Sequence, residues 1–154
     1  MSRSSRALLA CALLSVILSG ARPARAGDQA AADALFDEGK ALMAKGEFAQ
    51  ACAKFQASHE AAAALGTLLN LADCLEQAGR LGSAERRFAE ALAFAEKNGD
   101  ERAGFARERL AALTPRVPRL VLEITAGSEP LVVALDAEPV DEKRFGLPVP
   151  VDPG

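Results

Sequence analysis

The stretch GEFAQACAKF, residues 46–55, returns in residue class 33 positions later as GRLGSAERRF, residues 79–88. Gly46 answers to Gly79, Phe48 to Leu81, Ala51 to Ala84 and Phe55 to Phe88. Extending the shift pairs Leu35 with Leu68, Gly39 with Ala72, Leu42 with Leu75 and Ser58 with Ala91, and each pair keeps its size class. An internal period of this length predicts one supersecondary unit made twice. Neither copy can bury its apolar face alone, so the copies must stack.

The residues between these landmarks are helix formers. Residues 28–113 are rich in Ala, Leu, Glu, Lys and Arg, which lose little on entering a helix. A first helix is expected from the cap Asp28, with Leu35, Phe36, Gly39, Leu42 and Met43 on one side. Gly46 ends it, and a second runs from Phe48 to Ala63. A third carries Leu68, Leu71, Ala72 and Leu75 and stops at Gly79. A fourth spans Ser83–Lys97, and after Asn98-Gly99-Asp100 a fifth reaches Leu113. In this reading the glycines turn the chain, the small residues let paired helices approach, and Phe55 and Phe88 fill the core.

These residues resemble the tetratricopeptide repeat, a helix-turn-helix unit of about 34 residues. The resemblance covers residues 32–97, with repeats at about 32–64 and 65–97. Leu35 and Leu68 stand where the family carries a large aromatic, and the proline between repeats is missing. The implied fold is mainly α, with antiparallel helical hairpins in an α-solenoid of two repeats. A capping helix at 100–113 would turn its charges to water and cover the last repeat with Phe105, Leu110 and Leu113. The resemblance also implies an inner face made of Phe36, Lys40, Met43, Leu69, Asn70, Asp73 and Glu76, where a protein or peptide partner would lie. Asn70 holds a position that in some members grips a peptide backbone or C-terminal carboxylate, but the converging basic residues of that clamp are absent apart from Lys40.

In a repeat of this type Cys52 and Cys74 face one another across the contact between successive units. Two readings stand: a pair of small buried hydrophobes, or a disulfide closing a span of 22 residues and worth about 3 kcal/mol. The second is favoured if the chain is exported. His59 shares the stripe of Cys52, but no fourth ligand accompanies it, so no metal or cofactor is expected.

Export is suggested by the first 26 residues. MSRSSR is basic, residues 7–19 are uncharged, and Ala24-Arg25-Ala26 is a small-x-small cleavage site, the order of a secretory signal peptide. The rival is a lipoprotein box at Leu8-Leu9-Ala10-Cys11, which leaves almost no apolar run before the cysteine. The leader holds four arginines and no acid. Residues 27–154 therefore carry 14 basic against 21 acidic residues, a net charge of −7. Such a chain is expected to avoid nucleic acid and anionic membrane surfaces, and to have no transmembrane span once the leader is gone. Cys52 and Cys74 would then sit in an oxidising periplasmic, secreted or cell-surface setting.

At Thr114 the pattern changes. TPRVP (114–118) reads as a linker, RLVLEIT (119–125) and LVVALD (131–136) as strands, and LPVPVDPG as a proline-bearing edge ending in a turn. Residues 119–154 resemble the start of a PEGA-type β-domain, with Ala137 where the family places glycine after Asp136. The expectation is an incomplete β-hairpin or β-sandwich fragment with a loose tail, exchanging faster than the helices unless it docks on them. The order of the two resemblances is that of exported bacterial proteins, and the absence of any nucleophile-base pair or phosphate loop argues against an enzyme. The expected function is an exported, non-catalytic interaction scaffold. The alternative is an envelope-anchoring module whose β tail binds cell-envelope material.

Overall fold

The computed structural model describes residues 26–124, 132–135 and 138–153. All but the last residue of the expected leader lies outside them, as do the GSEP turn and the Asp136-Ala137 step. The molecule is mainly helical. Its helices are α1 (Ala26–Ala44), α2 (Phe48–Ala61), α3 (Leu65–Gln77), α4 (Leu81–Asn98) and α5 (Ala103–Leu113).

The α1–α2 and α3–α4 pairs are antiparallel hairpins, and their turns close identically. Gly46 and Gly79 have φ of 76° and 77°, a left-handed conformation that a side chain resists. Each glycine N–H donates to the carbonyl three back, Met43 or Glu76. The next residue, Glu47 or Arg80, donates to Leu42 or Leu75. The last carbonyls of α1 and α3 are thereby satisfied as the chain reverses. Further from the turn of the first hairpin, Lys54 meets Glu38 at 2.6 Å and the Ser58 hydroxyl donates to Ala32 O at 2.8 Å.

Ala51 and Ala84 are fully buried at the crossings, with Phe55 and Phe88 beside them. Gly39 lets the Phe55 ring press onto α1, since a β-carbon there would stand 2.8 Å from it. Leu71, Ala72 and Leu75 join these in one cluster, while Leu65, Leu68, Ala91, Ala95 and Ala106 make a second toward the other end. Each buried Phe contributes about 1.5–3 kcal/mol relative to exposure.

The fifth helix differs from expectation in two ways. Its exposed aromatic is Phe105, half in solvent, while Ala106 and Leu113 are buried and Leu110 packs on the core. Nor do all its charges face water. Arg109 reaches Asp73 at 2.8 Å and Glu76 at 2.9 Å and lies over the Phe88 ring. Gly99 and Asp100 give the stop: the Asp100 carboxylate accepts from the Arg102 side chain and N–H, which lowers its pKa to about 2.

The β segment pairs differently from the hairpin expected of residues 119–125 and 131–136. Strand β1 (Arg119–Val121) pairs antiparallel with β4 (Pro148–Pro150), while β2 (Ala134–Leu135) pairs with β3 (Glu138–Pro139). Val151 N–H reaches Pro118 O on the β1 side. Donors alternate along a strand, so the missing donors of Pro148 and Pro150 fall on the outer edge. The 114–118 stretch is ordered on the body too: Thr114–Arg116 is a 3-10 turn and Val117 enters the core.

The expected loose tail is docked instead. Val149 is buried, and the backbone of Val151 passes so close to Gly82 that a β-carbon there would meet it at 2.5 Å. Arg119 adds an ion pair to the nearly buried Glu85 at 2.6 Å.

Candidate functional site

The seven residues expected on the inner face fall into two groups. On α1, Phe36 stacks at a tilt on Phe55, 5.5 Å between centroids, and Lys40 sits 5.0 Å above the Phe36 ring while pairing with Asp37. Met43 is half-buried against the core. On α3, Leu69 touches both apolar clusters, and the Asn70 amide donates to Gly66 O. Asp73 and Glu76 hold Arg109, and Glu76 also holds Arg116 at 2.6 Å. Every one of these side chains has an internal task, and the acidic pair serves to fasten α5 to α3.

A more open site lies between α2 and α4, over the back of α3. It is a cleft of about 730 Å³, within the range of ligand-binding clefts. Its floor is apolar, made by Cys52, Leu71 and Leu75, all buried. Its rim is basic, carrying Arg80, Arg86 and Arg87 from the start of α4. Helical spacing explains the rim, because 80, 83, 86 and 87 fall on one side of α4. Arg87 is engaged by Glu90 at 2.7 Å and Gln56 at 3.3 Å. Arg86 meets only the Ser83 hydroxyl, at 3.2 Å, and has no carboxylate in salt-bridge range among the described residues.

The sulfurs of Cys52 and Cys74 meet at disulfide distance beside this floor, with Cα atoms 5.5 Å apart. They tie α2 to α3. His59 stands apart from them, 3.8 Å from Glu90, and its Nδ1 is buried without a hydrogen-bond partner.

Sequence reasoning passed over the end of the cleft where the tail arrives. The Asp152 carboxylate accepts from Ser83 N–H and from the Ser83 hydroxyl, each at 2.7 Å, and from Arg80 Nε at 3.1 Å. Partial burial raises the Asp152 pKa, but the Ser83 hydroxyl and N–H, followed by Arg80, outweigh it and hold the pKa below the ordinary value. Helix α4 has no side-chain cap of its own from Arg80. Asp152 supplies that cap from elsewhere in the chain. A signal was present in the repeat: Gly82 and Ser83 replace Ala49 and Gln50 at the 33-residue shift. Glycine in the first turn of a helix is poor for the helix and good for a backbone passing over it.

Comparison with family models, with curated proteins and with solved structures gives no match for this chain.

Proposed function

We propose that this chain is an exported, non-catalytic interaction scaffold, a tetratricopeptide-like array of two repeats that binds a protein or peptide partner. The observation that carries the reading is the equivalence of the two hairpins. At a spacing of 33 residues they share the glycine turn and its hydrogen bonds, the fully buried alanine and the fully buried phenylalanine. Stacked units of this kind leave long helix faces open, and such faces suit extended partners. The leader-like residues 1–26 support export to the periplasm or cell surface. The anchoring alternative requires a β tail presented apart from the helices, whereas residues 149–152 are held against α4.

Site-specific photo-crosslinking in cells tests the proposal, with the probe at Lys40 on the inner face or at Ala53 beside the cleft. A discrete protein adduct at either position supports the scaffold. If neither position gives one, and envelope association instead follows residues 119–154, the scaffold reading falls.

A further inference from the structure

We infer that the α2–α4 cleft is the binding site for an acidic peptide segment of a partner, one in which carboxylates alternate with apolar side chains. The inference rests on the scaffold reading and gives it a location and a chemistry. Three observations converge. Above the buried Cys52, Leu71 and Leu75, the cleft lining presents the more exposed Ala49, Ala53 and Ala78, so its accessible floor is apolar. The rim holds three guanidinium groups: Arg80 pairs with Asp152 and Arg87 with Glu90, while Arg86 meets the Ser83 hydroxyl and has no carboxylate in salt-bridge range among the described residues. Guanidinium groups are matched to carboxylates by geometry as well as charge. Finally, the molecule already uses this end of the cleft in that way. An extended segment, Val151-Asp152, lies across α4 and places its carboxylate on Ser83 and Arg80. A partner segment running on along α4 would meet Arg86 and Arg87 next, with alternate residues directed to the floor.

The acidic specificity follows from the same groups. A basic segment would leave Arg86 opposed by like charge, since Asp152 is already engaged by Arg80 and Glu90 by Arg87. A nucleic acid offers anionic charge but no apolar side chains alternating with it along an extended backbone.

The experiment is fluorescence anisotropy on the purified, oxidised protein with a labelled decapeptide of alternating Glu and Leu. A Lys-Leu decapeptide, a Glu-Gly decapeptide and a dT10 oligonucleotide serve as comparisons. Saturable binding of the Glu-Leu peptide is expected, weakening with salt. Affinity should drop about tenfold or more in Arg86→Glu/Arg87→Glu, and less in Arg86→Gln. Circular dichroism checks that both variants stay helical. No binding of the Glu-Leu peptide, equal binding of the Lys-Leu or dT10 probe, or full affinity in both variants overturns the inference. If the in-cell adduct from Ala53 persists through the charge reversal, the scaffold stands and only the acidic assignment falls.

Discussion

Asp152 and Ser83, 69 positions apart, share two hydrogen bonds of 2.7 Å each, one to the Ser83 N–H and one to its hydroxyl. Through this contact the end of the described chain caps α4, the helix that closes the second hairpin. Arg80 adds a third bond, so the cap is charge-assisted. The positive end of α4 faces the same carboxylate, which favours it further.

Gly82→Ala should separate helix from tail. In an ordinary helix this change stabilises by about 0.5–1 kcal/mol. Here the new β-carbon would stand 2.5 Å from the Val151 backbone, so the strand must lift. Hydrogen exchange should quicken at residues 148–152 while the α4 amides keep their protection. Unchanged protection of Val149 and Val151 would show that the approach is looser than described.

Asp152 gives a pH dependence with a definite sign. Its folded pKa lies below the 3.8 of the free group. The stabilisation is therefore complete above that value and is lost as pH falls through the lower folded value. Tail protection should be flat from about pH 5 to pH 8 and decline only below about pH 4. Asp152→Asn should loosen the tail at neutral pH and cost about 1 kcal/mol in a thermal melt. A midpoint of loosening near pH 6 would point to a different group.

What the sequence made legible was local. The five helices, the two glycine turns and the buried roles of Ala51, Phe55, Ala84 and Phe88 follow from periodicity and turn chemistry acting over a few residues. The partner of Pro148–Pro150 did not follow. Strand pairing at long range depends on which surface the strand finds, and alternation alone cannot distinguish β1 from residues 131–136. Asp152-Pro153-Gly154 reads locally as a turn, yet Asp152 acts as a distant cap. The cleft is hidden for a related reason. ERRF scans as an ordinary solvated helix face, and its arginines become a rim only once α2 and α3 are packed beside it.

The Cys52–Cys74 pair is testable by reduction. A bond between them should stabilise by about 3 kcal/mol, and reductant should lower the melting temperature accordingly. Cys52→Ser/Cys74→Ser should melt near the reduced protein and ignore reductant. Two titratable thiols in the denatured, non-reduced protein would rule the bond out.

Glu76 joins α3 to two later arginines, Arg109 at 2.9 Å and Arg116 at 2.6 Å. Its side chain is only 13% exposed, whereas Arg116 is largely in water. Glu76→Ala leaves Arg109, whose Nε is already buried without a partner, facing Asp73 alone. A loss of about 1–2 kcal/mol is expected, smaller than for a fully buried pair because the arginines are screened. Equal stability in wild type and variant at low salt would assign α5 docking to Ala106 and Leu113 instead.

The attachment of Val151 and Asp152 to the start of α4 also fixes how the molecule bears a mechanical load. A pull on the chain at Pro153 is delivered first to the opening turn of α4, through the bonds to Ser83 and Arg80. The covalent route back through β1, the 3-10 turn and α5 carries tension only after those bonds break. A tether beyond residue 153 would thus tug on the rim of the cleft itself, so that traction and occupancy act on the same few side chains.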